Sequence, residues 1–273
     1  MPDLSVILPC YRSAPLAVRS TARLAGFLAA WGRSWEIIVV DDGGGDFPPD
    51  ALVHESGVRL VRLPVNRGKG AAVQAGMLAA TGDVRVYTDV DLPYDLDLIP
   101  TIAGIIGERG FHLVIGDRTL PASRYTSDIT PGRKLASLLF TGFVGTLVTG
   151  GFFDTQCGLK GVRGDVADEL FRMQRVERFA FDVELVYIAL KCKLDIHRIP
   201  VQLRNNETSS VRLLRDAARG FVDVFRIKWN QMLGRYESPT LERLMQQEFE
   251  GVRLRAAASS PLAQPEEAPH GRP

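Results

Sequence analysis

The sequence has few cysteines and no large excess of charge of either sign. Its three cysteines, Cys10, Cys157 and Cys192, are too few and too scattered for a disulfide framework or a zinc site with CxxC spacing. We therefore expect a reducing, cytosolic environment. Lysine and arginine number 33 and aspartate and glutamate 32, so the formal net charge of +1 provides no surplus of cations to neutralise many phosphates. General nucleic-acid binding is therefore not expected.

Secretion signals and long apolar runs are also scarce. The N-terminus passes almost at once into LSVIL, without a basic region and cleavage site, so we expect no secretion. Residues 135–153 form an uncharged run of 19, but eight of them are glycine, serine or threonine. That composition is too polar for a typical bilayer span and predicts a buried or interfacial helix.

Short runs rich in valine, isoleucine and leucine alternate with helix-like stretches along the chain. The runs are LSVIL, EIIVV, VRLVRL, VRVYTDVD, HLVIGD and DIHRIPVQL. This alternation predicts an α/β fold with a mostly parallel sheet. Ligands bind beyond the carboxyl ends of the strands in such sheets. The acids and turn residues at 9–11, 41–43 and 89–91, which end three of the runs, therefore predict one rim that carries the site.

The C-terminal part differs in composition from the rest. Four prolines and few apolar residues predict a disordered tail over residues 253–273. We expect the domain to span residues 1–236 and a further helix to occupy part of residues 237–252. Within the domain, residues 210–236 carry one apolar stripe at helical spacing: Val211, Leu214, Ala218, Phe221, Phe225, Trp229 and Met232. Residues 204–235 contain seven lysines or arginines and three acids. A basic amphipathic helix of this kind either lies on an anionic membrane or packs on its own domain.

Two aspartates one residue apart, Asp89 and Asp91, follow the apolar run in VYTDVDLPYD. Like charges so close together repel each other, which indicates a cationic partner. Mg²⁺ and Mn²⁺ prefer oxygen ligands and are commonly held by one or two carboxylates, water and substrate phosphates. A pair of solvated loop acids is the alternative.

Two further segments contain polar residues in unusual settings. NRGKGAAVQAG, residues 66–76, places glycines around Lys69 before a helix, which allows an anion to approach the backbone closely. It matches neither the Walker A nor the GxGxxG pattern, and a plain strand-to-helix turn is the alternative. In RFAFDVEL, Asp182 and Glu184 lie among aromatic and aliphatic residues, and whether both face water stays open.

Eight motifs in one order resemble the family 2 glycosyltransferases of the GT-A fold. They are SVILPCYRS, EIIVVDDGGGD, NRGKGAAVQAG, GDVRVYTDVDLPYD, LVIGDRTL, GRKLASLLF, DTQCGLKGV and FAFDVEL, and they cover roughly residues 4–236. The branch most similar is that of the polyprenyl-phosphate sugar synthases, typified by dolichyl-phosphate mannose and glucose synthases. The resemblance implies a Rossmann-like, mostly parallel sheet flanked by helices, in a single domain with C-terminal amphipathic helices. It also implies an inverting, Mg²⁺- or Mn²⁺-dependent transfer of a hexose from a UDP- or GDP-sugar to a polyprenyl phosphate.

The resemblance also assigns roles to residues by position. Four residues match the nucleotide site: Pro9, Tyr11, Asp42 and Lys69. Asp89 would contact the nucleotide or donor sugar, and Asp91, with Asp89 as a further candidate ligand, would hold the metal. Three residues match the grip on the acceptor phosphate: Arg118, Arg133 and Ser137. Three more would line the donor sugar: Asp154, Gln156 and Asp182.

The chain departs from the family's pattern at three positions. Gly44 replaces a serine that many relatives carry after DDG, and Pro93 stands where some relatives have a glutamine metal ligand. Val90 replaces a small residue between the two acids, which predicts a narrower donor pocket. These departures bear on metal affinity and donor identity more than on the fold.

The chemistry of the acceptor separates two enzymatic hypotheses. A phosphate monoester is already largely dianionic at pH 7 and needs positioning, for which two arginines and a serine are suited. A hydroxyl acceptor needs a general base, and Asp182 is then the best candidate. A non-catalytic nucleotide-sugar binding module is the alternative from another class. Unlike many relatives, the sequence shows no transmembrane helices, so we expect a peripheral protein on the cytoplasmic face or a separate membrane partner.

Overall fold

The apolar runs of the sequence become the strands of one sheet. The structure is a computed structural model. It describes residues 1–48, 51–52, 56–124, 142, 144–145, 148, 150–151, 154–203 and 213–258. The strands are β1 Leu4–Cys10, β2 Trp35–Asp41, β3 Val58–Arg62, β4 Val84–Thr88, β5 Leu113–Asp117, β6 Leu159–Arg163 and β7 Ile196–Pro200. β1, β4 and β5 are buried along their whole length, which explains why they read as continuous apolar runs.

The order of strands in the sheet is β3-β2-β1-β4-β6-β5-β7. All neighbouring pairs are parallel except those of β6, which runs antiparallel to β4 and to β5. The expected α/β fold with a mostly parallel sheet is therefore confirmed. The antiparallel strand β6 was not among the predicted strands.

Six helices accompany the sheet in the unit Met1–Glu237, within the described residues: α1 Ala14–Ala29, α2 Lys69–Ala79, α3 Leu98–Arg109, α4 Gly164–Met173, α5 Phe181–Lys191 and α6 Leu213–Met232. Local sequence explains where several of them begin or end. A proline lies in the first turn of α1, where its missing N–H costs nothing. α3 ends at Gly110, whose φ of 76° belongs to the left-handed region that glycine adopts easily.

A second unit, Ser238–Pro273, contains one described helix, α7 Pro239–Ala258. A helix was predicted within residues 237–252, and α7 continues to Ala258. It therefore covers residues 253–258, which the composition predicted to be disordered. The rest of the predicted tail lies outside the described residues, and the domain boundaries stay a prediction.

Helix α6 has one buried and one exposed face. Val224, Ile227 and Asn230 are buried within the unit. The opposite face exposes four apolar side chains, each by more than half: Val222, Phe225, Trp229 and Met232. Leu233, the residue after the helix, is half exposed. The helix thus packs on its own domain. Of the predicted stripe, Phe225, Trp229 and Met232 are exposed and Phe221 is half-buried, and the side chains of the other three members lie outside the part of the chain that the structure describes.

Most of the uncharged run at residues 135–153 lies outside the described residues. Among the helices that the structure does describe, none combines the length and the apolar character needed to cross a bilayer.

Candidate active site

The carboxyl ends of β2, β1 and β4 form one rim. These strands are neighbours and run parallel, so residues 41–43, 9–11 and 89–91 lie at the same edge of the sheet. The prediction that these three strand ends share one rim is therefore confirmed. β5 runs in the same direction and ends at Asp117, while β6 begins at this edge because it is antiparallel. The rim therefore also receives Arg118 and the segment at residues 154–158.

Lys69 and Asp89 meet at this rim. The Lys69 Nζ lies 2.5 Å from Asp89 Oδ1, which joins the start of α2 to the end of β4. The lysine side chain is 18% exposed and the carboxylate 37% exposed, so the pair is accessible from one side. Burial lowers the pKa of Lys69, but the charges of Asp89 and Asp182 outweigh it and the pKa is raised overall. A firmly cationic lysine therefore faces the opening, a suitable partner for an anionic ligand.

Gly158 makes room for the Asp89 carboxylate. A Cβ placed on Gly158 would lie 2.1 Å from Asp89 Oδ2 and 2.9 Å from its Cγ. The Gly158 N–H donates to the Tyr94 hydroxyl oxygen at 3.3 Å, which holds this backbone close to the rim. A side chain at residue 158 is therefore incompatible with the observed position of Asp89.

If the rim binds a nucleotide with a divalent cation, as the resemblance implies, replacing Gly158 by alanine is expected to lower that affinity by about tenfold, because the added methyl group must displace the Asp89 carboxylate from Lys69. Calorimetric titration with UDP and Mn²⁺ measures the change. Gly107→Ala in α3 is the matched control, since a Cβ there meets nothing within 4 Å. Equal donor affinity in the Gly158→Ala and Gly107→Ala variants would show that Asp89 does not need this space.

The side chains at the rim supply only some of the ligands that a divalent cation needs. Asp89 and Asp91 offer carboxylate oxygens, the ligands that Mg²⁺ and Mn²⁺ prefer, from one turn after β4. Asp91 is half-buried and Pro93 is buried. Within the described ranges, no group of three or more histidine, cysteine, aspartate or glutamate side chains is placed to hold a metal. A divalent cation held here would therefore need water and substrate phosphates to complete its coordination shell, as is common for Mg²⁺.

Asp42 holds the loop that precedes α2. It is buried, and its Oδ1 accepts from the Arg67 N–H at 2.8 Å, while Oδ2 accepts from Asn66 Nδ2 at 2.9 Å and the Gly68 N–H at 2.8 Å. The resemblance to family 2 glycosyltransferases implies that this residue binds the base or ribose. The structure shows a carboxylate that already fixes the phosphate-loop candidate, residues 66–70, against the end of β2.

The same loop rests on the segment between α4 and α5. The Ala71 N–H donates to the Glu177 oxygen at 2.9 Å, and Gln174 Nε2 donates to the Gly70 oxygen at 2.9 Å. A Cβ on Gly70 would lie 2.7 Å from the Phe181 Cβ, and Gly68 has a φ of 115°. The two glycines are therefore required by backbone conformation and by close packing, which positions Lys69 between them.

The departures Gly44 and Val90 have structural explanations. A Cβ on Gly44 would lie 2.7 Å from the Arg12 backbone nitrogen and 2.9 Å from Asp41 Oδ1. Because residue 44 is glycine, the chain after β1 and the chain after β2 can approach each other closely. Val90 is partly buried and packs against the hydrophobic core.

Asp182 lies below the rim at the start of α5. Its side chain is 4% exposed, forms an ion pair with the buried Lys160, and accepts a hydrogen bond from the Tyr87 hydroxyl at 2.6 Å. Glu184, the second acid of RFAFDVEL, is also buried and accepts from the Tyr236 hydroxyl at 2.5 Å and from the Arg175 and Val176 N–H groups. The possibility that both acids face water is therefore wrong.

Arg118 and Asp154 form a forked ion pair at the far side of the rim. Asp154 is buried and accepts from Arg118 Nε at 2.9 Å, from Nη2 at 2.7 Å and from the backbone N–H at 2.7 Å. The Arg118 side chain is 30% exposed. Burial raises the pKa of Asp154, but Arg118 outweighs it and holds that pKa below its ordinary value.

The remaining predicted residues lie in varied settings. Pro9 is buried in β1, Tyr11 is 42% exposed beneath the Arg12 guanidinium, and Gln156 is exposed. Arg133 and Ser137 lie outside the described residues. Sequence reasoning missed Gly158, Tyr87 and Lys160, which the structure places under Asp89 or in contact with Asp182. The only indication of them in the sequence is their position inside the motifs VYTDVDLPYD and DTQCGLKGV.

Fold and rim together define an α/β protein with a GT-A-like sheet and an acidic, lysine-containing site at its carboxyl edge. The family model described as glycosyl transferase family 2 matches residues 5–171. This is more than half of the chain, and the chain therefore belongs to glycosyl transferase family 2.

Individual relatives narrow the comparison. A dolichyl-phosphate beta-glucosyltransferase from Dictyostelium discoideum is 31% identical over 214 residues, which cover 74% of this chain and 64% of the relative. The human dolichyl-phosphate beta-glucosyltransferase is 32% identical over 197 residues, which cover 65% of this chain and 58% of the human protein. The chain thus spans less than two thirds of the length of these two relatives.

Solved structures support the fold. Glucosyl-3-phosphoglycerate synthase from Mycobacterium tuberculosis, in complex with Mn²⁺, UDP and glucosyl-3-phosphoglycerate, matches with a TM-score of 0.61 and 19% sequence identity. The match covers 82% of this chain and 78% of that one. It confirms the expected GT-A-like architecture.

Proposed function

We propose that the protein transfers a hexose, with glucose as the first candidate, from a nucleotide sugar to a polyprenyl phosphate of the dolichyl type. The observation that carries this proposal is the rim itself, where the Lys69–Asp89 pair and Asp91 lie on the same edge as Arg118. The similarity to dolichyl-phosphate beta-glucosyltransferases supports the choice of sugar and acceptor.

On the donor side, Lys69 is positioned to bind the diphosphate. It sits at the first residue of α2, where backbone N–H groups and the helix dipole also favour an anion. Asp91, with Asp89, would hold Mg²⁺ or Mn²⁺, whose chemistry there is to neutralise charge on the departing nucleoside diphosphate. The carboxylates and the lysine thus face the same leaving group from two elements.

On the acceptor side, Arg118 would orient a phosphate whose attack needs no general base. A phosphate monoester carries most of its second negative charge at pH 7, so the protein has to position it rather than deprotonate it. Asp154 fixes the Arg118 guanidinium by accepting two hydrogen bonds from it. Attack on the side opposite the leaving diphosphate gives a β-glycosyl phosphoryl polyprenol from an α-linked donor.

The hydroxyl-acceptor alternative needs Asp182 as a free base, and its geometry does not favour that role. The carboxylate is engaged by Lys160 and by the Tyr87 hydroxyl below the rim. A non-catalytic binding module is disfavoured because Lys69, Asp89 and Asp91 are all retained at one edge.

The deciding experiment offers purified protein a panel of radiolabelled UDP- and GDP-sugars, including UDP-glucose, with Mn²⁺ or Mg²⁺. Polyprenyl phosphate is the test acceptor and polyprenol, which lacks only the phosphate, is the matched control. We expect label in the organic phase from one donor, with polyprenyl phosphate alone, and its loss when EDTA removes the metal. Label on polyprenol, or on a sugar hydroxyl, would replace this proposal with the hydroxyl alternative.

A peripheral position on the cytoplasmic face of a membrane is the second part of the proposal. The exposed face of α6 presents Phe225, Trp229 and Met232, beside the exposed Arg226. Aromatic and aliphatic side chains flanked by cations suit the surface of an anionic bilayer. Val222 and Arg226 of α6 line one cavity with Glu177, whose oxygen accepts from the Ala71 N–H at the start of α2, so this face would bring the rim near a lipid-borne phosphate.

Replacing Phe225 and Trp229 together by serine is expected to lower binding to vesicles containing anionic phospholipid by about tenfold, because two aromatic side chains lose their burial in the interface. Cosedimentation with such vesicles measures the effect. Val18→Ser/Leu78→Ser, which alters exposed apolar residues of α1 and α2, is the control. Unchanged cosedimentation of the α6 variant would exclude this face as the membrane contact.

A further inference from the structure

A lysine is buried completely beneath the candidate donor site. Lys160 lies on β6 directly opposite Tyr87 of β4, and its side chain is 0% exposed. Residues that face each other on antiparallel strands project to the same side of the sheet. Burying an ammonium group costs free energy unless its charge is paired and its N–H groups donate hydrogen bonds. Its partners therefore determine what it does.

Lys160 joins three elements through these partners. It forms an ion pair with Asp182 of α5, donates to the Cys157 oxygen at 2.7 Å, and lies 5.4 Å from the centre of the Tyr87 ring. Tyr87 in turn donates to Asp182 at 2.6 Å. We refer to Tyr87, Lys160 and Asp182 as the buried lysine cluster.

The buried lysine cluster connects to the rim at two points. Tyr87 precedes Asp89 by two residues on the same strand end, and the Cys157 oxygen that Lys160 binds belongs to the peptide leading into Gly158. Gly158 is the residue whose backbone packs against the Asp89 carboxylate. Lys160 thus fixes the surface on which Asp89 rests.

The charges of the two layers are also coupled. Lys69 is close enough to Asp182, as it is to Asp89, for the lysine and each carboxylate to attract each other. Lys69 therefore feels two carboxylates, one at the rim and one below it. In the structure Lys160 neutralises the lower one, which leaves Lys69 paired with Asp89.

We propose that Lys160 is a positioning residue for donor binding, because by occupying Asp182 it keeps Lys69 at the rim beside Asp89. Without the Lys160 charge, Asp182 is a buried carboxylate that attracts Lys69 away from the diphosphate. A buried ion pair adds little net stability over apolar residues of similar volume, so stability alone does not account for this pair. The inference rests on the proposed function, since it assigns Lys69 to the donor.

The test compares Lys160→Met, Asp182→Asn and the double variant by thermal unfolding and by calorimetric titration with Mn²⁺ and UDP, with GDP in place of UDP where the wild-type protein binds only GDP. We expect Lys160→Met to weaken UDP binding by about tenfold or more. The double variant is expected to regain most of the lost affinity, because it removes the carboxylate that competes for Lys69. A merely structural role would instead leave UDP affinity unchanged in folded Lys160→Met.

Arg85→Met is the matched control. Arg85 is a buried cation of the same sheet, on β4, and it pairs with Asp168 away from the rim. Its loss is expected to lower the melting temperature without changing UDP affinity. Where Lys160→Met does not fold, Lys160→Gln removes the charge while retaining a donor for the Cys157 oxygen, and the same expectations apply.

Two failures are distinguishable. A wild-type protein that binds neither UDP nor GDP with Mn²⁺ overturns the proposed function and this inference with it. Wild-type binding together with equal affinity in Lys160→Met, or a double variant as weak as the single one, overturns the inference alone.

Discussion

Replacing Asp91 by asparagine is expected to lower the rate of sugar transfer by about a hundredfold or more, while the melting temperature changes little. The amide has the same size as the carboxylate but lacks the charge that holds a divalent cation. A hundredfold loss corresponds to about 2.7 kcal/mol of transition-state stabilisation, within what a bound metal contributes to a leaving phosphate. Asp91 is half-buried, so the exchange requires no repacking of the core.

The measurement is the initial rate of label transfer across a titration of Mn²⁺. Asp97→Asn is the control, because Asp97 lies six residues further along, is exposed, and makes no side-chain cap bond at the start of α3. Its rate is expected to stay within about twofold of wild type. A wild-type rate and Mn²⁺ dependence in Asp91→Asn would remove Asp91 from the metal site.

The rim could be predicted from the sequence because its strands are simple. β1, β2 and β4 are apolar runs that end in acids or turn residues, and parallel neighbours bring such ends together. The sequence indicates both Lys69 and Asp89 as candidate site residues. Their pairing could not be predicted, since nothing in a linear pattern fixes which cation approaches which carboxylate.

Strand β6 shows where sequence patterns fail. Its residues LKGVR contain two cations and a glycine. A prediction based on apolar runs therefore assigns them to a loop. The structure makes Lys160 a buried ion-pair partner, and a Cβ on Gly161 would lie 2.2 Å from an Ile102 methyl group. Tertiary contacts therefore overrule local preference here, and the missed strand carries the missed lysine.

The acidic residues predicted to bind ligands fall into two groups, according to whether the protein itself already binds their carboxylates. Asp42, Asp154 and Asp182 each accept hydrogen bonds from the protein itself, whereas Asp89 keeps an exposed edge beside Lys69. Residue types that suit a ligand also suit backbone N–H groups and buried cations. A motif therefore identifies the neighbourhood of the site, and only the fold shows which carboxylates face the opening.

Replacing Arg118 by alanine is expected to lower kcat/KM for polyprenyl phosphate by about a hundredfold, while the affinity for UDP with Mn²⁺ stays within about twofold. Charge-assisted hydrogen bonds to a phosphate each contribute about 1.5 to 3 kcal/mol, and a forked guanidinium supplies two. Arg124→Ala is the control, because Arg124 is exposed and its backbone is held by Val201 and Leu203.

The same change leaves Asp154 buried without its counterion, at a cost in stability of about 3 kcal/mol near pH 7. Because Arg118 lowers the pKa of Asp154, this contribution exists above the ordinary carboxyl pKa and is lost as the pH falls through the lowered value. The stability difference between wild type and Arg118→Ala is therefore expected to shrink in acid. Thermal unfolding at pH 7 and in acid measures it.

The double variant Arg118→Ala/Asp154→Asn separates acceptor binding from stability. Removing both charges is expected to restore most of the melting temperature, since no uncompensated carboxylate remains buried. Transfer to polyprenyl phosphate should stay low, because the amide of residue 154 cannot replace a guanidinium as a phosphate ligand. If transfer recovers together with stability, Arg118 supports the rim and another cation binds the acceptor phosphate.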